Sequence, residues 1–408
     1  MHPIFQLPNG IKFVHKQVDS PISHIGVLVN AGTRDEEEKD VGLAHFVEHT
    51  LFKGTEKRDA RQIFRYIENL GGDMNASTSK EETYLHASFL TPDLKKITEL
   101  LSDIFFNATF PEKELEKEKT IIIEEINYYK DTPTELIFDD FETLIFDQHP
   151  LGRNILGTKK GVKQLTRNHI LNFIKNNYSA DNVVISFVGA TPLNRVKEIV
   201  SHYFGNVNLP ENQRVRTPFQ QYHPQTVKKN KNNSQAHLVM GNIAYSIQDD
   251  KKNHLLLLLS NLLGGQGSNT RLNMEIREKR GWAYSVESFY TPLSDSGLFT
   301  IYLGCDHSMV NKSIEVIHKE FKKLREKKLG EMQLHYAKKQ FLGQLAISNE
   351  QKINEMLALG RSALFFDEIE TLEEAIQAFE AITADQLLDV ANEILLPDNF
   401  SYLSYQKD

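Results

Sequence analysis

The chain has 408 residues, 40% of them apolar and 25% charged, with a formal net charge of −8. This length exceeds one ordinary hydrophobic core and predicts two domains, and the composition is that of a folded chain rather than a disordered one. The acidic balance argues against a nucleic-acid partner, which would need a basic patch to displace counterions; the single cysteine, Cys305, cannot close an internal disulfide and fits a reducing compartment.

The start, Met1 to Val14, has no basic patch followed by an apolar core. It reads as a strand hairpin turned at Asn9-Gly10 rather than a signal peptide, so a cytoplasmic location is expected unless a presequence has been removed. Ile25 to Asn30 reads as an apolar strand, followed by an acidic loop and then a helix. That helix contains the most informative run in the chain, Gly42-Leu-Ala-His-Phe-Val-Glu-His-Thr-Leu-Phe-Lys-Gly54. Asp40 is placed to cap its start and Gly54 to end it, while Val41, Ala44, Val47 and Leu51 recur at helical spacing and would anchor one side in a core. His45 and His49 project from the same face one turn apart, so both imidazoles can reach one small cation. Zn²⁺ accepts neutral imidazole nitrogens and in a catalytic site leaves one position open. Glu48 shares that face and can take a proton from water there.

A two-histidine zinc site needs a carboxylate from elsewhere. Pro111 to Asn127 reads as a helix with proline in its first turn and a stop at Asp131-Thr-Pro133, although Ile121-Ile-Ile123 also suits a strand. As a helix it puts Glu118 and Glu125 two turns apart on one face, with Glu124 about 100° away. The residues alone do not choose between Glu124 and Glu125. Further on, Gly205 to Pro224, with prolines at 210, 218 and 224, reads as a connector.

The second half then repeats the first in outline. Leu238 to Asn242 is a strand and is followed by a polar loop and the helix Leu255 to Leu263, which is too short and too broken by Ser260 and Asn261 to span a membrane. A shift of 212 residues sets Leu257 opposite His45, Ser260 opposite Glu48 and Asn261 opposite His49, so only the first half can bind zinc. Cys305 closes the apolar run from Leu298 and reads as a structural thiol. The expected fold is α+β: two homologous α/β sandwich domains, each a mostly antiparallel sheet with helices packed on one side. The expected spans are 1–208 for a zinc-binding domain, 209–224 for a linker and 225–408 for a zinc-free domain.

With H-x-x-E-H at His45–His49, the chain resembles the pitrilysin/insulinase zinc metallopeptidases, above all short bacterial members similar to the mitochondrial processing peptidase. Gly71-Gly-Asp-Met-Asn-Ala-Ser-Thr-Ser79 resembles the family's substrate strand, and His149 to Thr158 resembles a loop that follows its ligand helix. Leu263 to Leu272 and Ile276 to Tyr284 resemble its second-half signatures. The resemblance selects Glu125, 76 residues after His49, as third ligand, and Glu118, seven residues earlier, as its supporting glutamate. It implies that Asn75, Ala76, Ser77 and Thr78 receive an extended peptide and that Arg277 and Tyr284 face the substrate. It also implies a zinc endopeptidase acting on unfolded peptides inside a chamber that a homodimer would complete. The alternatives are a processing peptidase that matures a precursor with a partner subunit, and a non-catalytic subunit of such a complex.

Overall fold

The computed structural model describes residues 3–212 and 214–407; Met1, His2, Gln213 and Asp408 lie outside the described residues. Its strands are β1 (Phe5–Gln6), β2 (Lys12–Gln17), β3 (Ile22–Val29), β4 (Asp73–Thr78), β5 (Thr83–Leu90), β6 (Val183–Gly189), β7 (Thr226–Asn230), β8 (Ala236–Ala244), β9 (Ala283–Pro292), β10 (Gly297–Cys305) and β11 (Ser401–Gln406). Its first helices are α1 (Leu43–Leu51), α2 (Ala60–Asn69), α3 (Leu94–Asn107), α4 (Glu112–Lys130), α5 (Pro133–Ile145), α6 (Lys159–Gln164), α7 (Arg167–Asn177) and α8 (Leu193–Phe204). The remainder are α9 (Asp250–Gly264), α10 (Val310–Glu326), α11 (Glu331–Asn349), α12 (Lys352–Phe365), α13 (Leu372–Ala381) and α14 (Ala384–Ile394). None of these helices is long and apolar enough to cross a membrane.

One compact unit comprises the residues up to Asn127 together with Arg153–Thr217 and Ile347–Thr371. Its six-stranded sheet runs β1-β2-β6-β3-β5-β4, antiparallel except for the β2/β6 pair. Successive strand residues point to opposite faces. Val14, Leu28, Val184 and Val188 therefore share one face, where Met356, Leu359 and Ala363 of α12 cover them. Phe13, Val27, Ile185 and Phe187 are buried on the other face, where α3 and α8 lie against β2, β3 and β5. Two glycines let α12 approach closely: a Cβ on Gly26 would fall 2.7 Å from Met356 Sδ, and one on Gly360 would fall 2.6 Å from Leu28 Cδ1.

The second unit comprises Tyr128–Gly152, Pro218–Ala346 and the residues from Leu372 onward. Its five strands run β7-β11-β8-β10-β9, with β7/β11 as the parallel pair. Leu238, Met240, Phe299 and Ile301 pack with the leucines of α9 and with Ile317 and Phe321 of α10. On the opposite face Val239, Leu298, Tyr302 and Leu403 pack with Ile137, Phe141 and Ile145 of α5. Cys305 lies in the first of these cores, where burial pushes its thiol up to about 12; this suits a structural residue, as expected.

The two sheets share the order and the single parallel pair of β2-β6-β3-β5-β4, so the chain is two homologous α+β domains. The connector carries neither helix nor strand among its described residues after Gly205. The main helical layer lies on one face of each sheet, as expected, but a single helix also covers each second face. These covering helices are equivalents: α5 follows α4 and α12 follows α11. Each belongs to the unit built mainly by the other half of the chain, so the compact units are discontinuous where the sequence reading drew contiguous spans.

Candidate metal centre

Helix α1 begins where two backbone segments cross. Gly42 precedes it at φ +98°, a left-handed conformation open to glycine. Gly157 lies against this start, and a Cβ there would fall 2.3 Å from the Val41 carbonyl oxygen. The Glu36 side chain, rather than Asp40, satisfies the helix start: Gly42 N donates to Oε2 at 3.0 Å and Ala44 N to Oε1 at 2.7 Å. Asp40 instead ends the 3-10 turn Glu38–Asp40, and Phe52 caps the C-terminus before Gly54 is reached. Ala44, Val47 and Leu51 are buried as their spacing predicts. Helix α4 starts directly after Pro111 and is continuous through Ile121–Ile123, which settles the strand alternative.

These two helices bring His45, His49 and Glu125 together, with one potential ligand atom from each lying within 4.8 Å of the others. His45 Nε2 stands 3.7 Å from Glu125 Oε2, and His49 Nε2 stands 3.5 Å from the same oxygen. Both separations are too long for good hydrogen bonds. They are close to the roughly 3.3 Å expected between ligands on a tetrahedral ion at about 2.0–2.1 Å. Burial, with His49 nearby, pushes His45 down to about 3, so its imidazole is neutral. Burial pushes the Glu125 carboxyl up, partly opposed by His49. Glu124 forms no part of the cluster; its carboxylate accepts from Asn127 Nδ2 at 3.4 Å.

Behind the cluster, His49 Nδ1 lies 3.3 Å from Glu118 Oε2. A proton on Nδ1 donated to this carboxylate leaves the Nε2 lone pair directed at the cluster. Lys53 Nζ holds the other oxygen of Glu118 at 2.7 Å. Lys53 was not singled out from the sequence; it lies in the turn that follows α1, just after the capping Phe52. The donor set therefore fits zinc: two imidazoles, one carboxylate, and an outer carboxylate that orients one ring.

Glu48 turns elsewhere. Burial pushes the Glu48 carboxyl up and the nearby Glu125 charge adds to the rise, while Thr78, the last residue of β4, and His49 oppose it. Strand β4 is outermost in its sheet. The bond from Ser79 N to Glu82 O closes the β4–β5 hairpin at 2.8 Å. By ladder alternation Asn75 and Ser77 bond to β5, while Ala76 and Thr78 turn their backbone N–H groups outward. Ala76 N–H is held by Asn75 Oδ1 at 2.9 Å.

Arg277 and Tyr284 belong to the second unit. Arg277 lies in the π-helical turn Asn273–Glu278, and its guanidinium sits over the Tyr284 ring, 5.9 Å from the centroid. Tyr284 is 79% exposed at the start of β9, the outermost strand of that sheet. In α9, Ser260 is buried and bonds Ser288, and no metal-binding cluster forms among the described residues there.

Comparison with known proteins agrees with this division. Residues 13–159 match the insulinase (peptidase family M16) model, and residues 164–341 match that of the peptidase M16 inactive domain. An uncharacterised zinc protease of Bacillus subtilis, YmxG, is 31% identical over 391 residues, covering 96% of this chain and 95% of its own length. The chain belongs to the insulinase family. Another insulinase-family relative, an uncharacterised zinc protease of Rickettsia felis, is 31% identical and covers 91% of this chain and 89% of its own length. A peptidase M16 inactive domain from Pseudomonas fluorescens superimposes with TM-score 0.91 over 100% of this chain and 98% of its own at 22% identity. A protease from Helicobacter pylori does so with TM-score 0.91 over 100% and 99%, also at 22% identity. These two solved structures establish the fold. The inactive-domain match in this insulinase-family chain spans Leu257, Ser260 and Asn261, which stand where the first half has His45, Glu48 and His49.

Proposed function

We propose that the chain is a zinc metalloendopeptidase that hydrolyses extended, unfolded peptides. One observation carries the reading: His45, His49 and Glu125 converge at ligand spacing while Glu48, on the same helix, lies near the charges of His49 and Glu125. The zinc-protease names of the relatives support the choice of metal. When bound, zinc supplies an electrophile that polarises a carbonyl and acidifies water. His45 Nε2, His49 Nε2 and a Glu125 oxygen would hold it, and Glu118 would keep His49 in the required tautomer. Glu48 takes a proton from the attacking water and passes it to the leaving amine. The outer edge of β4 receives the peptide as an added strand, with Asn75 releasing the Ala76 N–H as it pairs. Backbone pairing tolerates many side chains, so sequence selectivity is modest.

A homodimer would complete an enclosed chamber, with Arg277 and Tyr284 offering donors to substrate carbonyls. The test is hydrolysis of a set of unstructured peptides by the purified chain alone, with its zinc content and its mass in solution. Hydrolysis only after a second protein is added would favour a processing peptidase with a partner subunit. Zinc binding without any hydrolysis would favour a non-catalytic subunit.

A further inference from the structure

The second half of the loop His149–Thr158, from Arg153 on, supplies no residue to the metal cluster, yet it closes around the start of the helix that carries His45, Glu48 and His49. A Cβ on Gly42 would fall 2.8 Å from the Leu156 carbonyl oxygen and 3.0 Å from Gly157 Cα. Arg153 Nη1 donates to the Glu36 carbonyl oxygen at 2.6 Å, and Lys80 Nζ donates to the Arg153 carbonyl oxygen at 2.6 Å. Lys80 lies in the turn between β4 and β5, and that turn binds back to the loop that carries Glu36: Thr33 N donates to Ser79 O at 3.1 Å and Arg34 N to Lys80 O at 2.8 Å. Three segments distant in sequence thus form a closed ring of hydrogen bonds. From this ring the Glu36 side chain reaches the helix start, where each of its oxygens accepts one backbone N–H. Glu36 is 6% exposed and Lys80 9%, so water does not compete for these bonds.

An ordinary cap takes one side-chain oxygen from the residue just before the helix. Here the carboxylate comes from six residues before Gly42, and its own backbone is pinned by a second and a third segment. We propose that Glu36, braced by Arg153 and Lys80, is a positioning residue that sets the first turn of α1 and with it the place of His45 relative to Glu125. This rests on the peptidase reading above. Helix α1 has only nine residues, and His45 directly follows Ala44, whose N–H Glu36 holds. A shift at the helix start therefore reaches His45 undamped, whereas His49 has its own tie to Glu118.

Glu36→Gln keeps the size but has one accepting oxygen and an NH₂ that only donates, so one N–H of the helix start meets a donor. Zinc affinity, measured by competition with a chromophoric chelator, should fall about tenfold, and kcat roughly 10- to 100-fold with KM unchanged. Arg153→Met should show a smaller loss of the same kind and Arg153→Lys should recover part of it; Arg153→Met carries the same comparison if Glu36→Gln does not fold. Val188→Ala, a cavity in the core against α12, controls for lost stability: it should lower the melting temperature and leave zinc affinity at the wild-type value. Crystal structures of metal-free wild type and Glu36→Gln should show the first turn of α1, with His45, displaced in the variant. Wild-type zinc affinity and kcat in Glu36→Gln, losses no larger than Val188→Ala gives at a matched melting temperature, or a His45 that keeps its place would each overturn the proposal. An inactive wild type would instead overturn the peptidase reading, and the zinc affinities and the pair of structures would still decide whether Glu36 places His45.

Discussion

Glu118→Gln perturbs the centre without touching a ligand. The Glu118 side chain is only 5% exposed; it faces His49 Nδ1 at 3.3 Å on one oxygen and Lys53 Nζ at 2.7 Å on the other. Outer groups of this kind are worth about 10- to 100-fold in metal affinity, or roughly 1.4–2.7 kcal/mol. Lys53 already neutralises part of the charge, so the lower end, about tenfold, is the expected loss. A competition titration of zinc against a chromophoric chelator measures it, with Glu124→Gln as the control. Unchanged zinc affinity in Glu118→Gln would refute the tautomer argument. The zinc-free protein adds a pH signature. Burial pushes the Glu118 carboxyl up, but the bonds and charges of His49 and Lys53 outweigh it and hold it below its ordinary 4.5. A carboxyl with a depressed folded value stabilises the fold fully above its unfolded value and loses that stabilisation as pH falls through the folded value. The melting-temperature gap between wild type and Glu118→Gln should therefore narrow on acidification below 4.5, and a constant gap would contradict the pairing.

Glu125→Gln should weaken zinc retention far more than Glu124→Gln, as metal analysis after dialysis against a chelator would show; equal behaviour would mean the third ligand is misassigned. Glu48→Gln should abolish peptide hydrolysis while zinc stays bound and peptide affinity is largely kept, so substantial remaining turnover would demand another base. If Tyr284 acts in the partner's site of a homodimer, mixing Glu48→Gln with Tyr284→Phe under conditions of subunit exchange should return part of the activity, because a mixed dimer holds one intact site. No recovery, despite proven exchange and two inactive parents, would assign Tyr284 to the site of its own chain.

Much of this was readable in the residues because the patterns were local. Histidines four apart on a buried-faced helix, proline immediately before α4, Asn9-Gly10 in a hairpin and the 212-residue repeat each carry their own geometry. What stayed hidden depends on contacts distant in sequence. β6 and β10 are buried throughout, so no alternation reveals that α12 and α5 cover their second faces. The cap of α1 comes from Glu36, across a loop that places it better than the nearer Asp40. Thr78 reads as one more strand residue until the fold sets it beside Glu48. Choosing Glu125 over Glu124 needed the family spacing, because both lie on one helix and only packing against α1 separates them.

Zinc depletion and restoration on the purified chain tests the central claim most directly, with hydrolysis of an unstructured peptide as the readout. Activity should vanish when the metal is stripped and return as about one equivalent of zinc per chain is added back, matching the one three-ligand cluster found among the described residues. Glu125→Gln, stripped and refilled at the same zinc concentration, should recover little. Hydrolysis that survives complete removal of zinc, or a chain refilled with zinc that cleaves no peptide, would contradict the account.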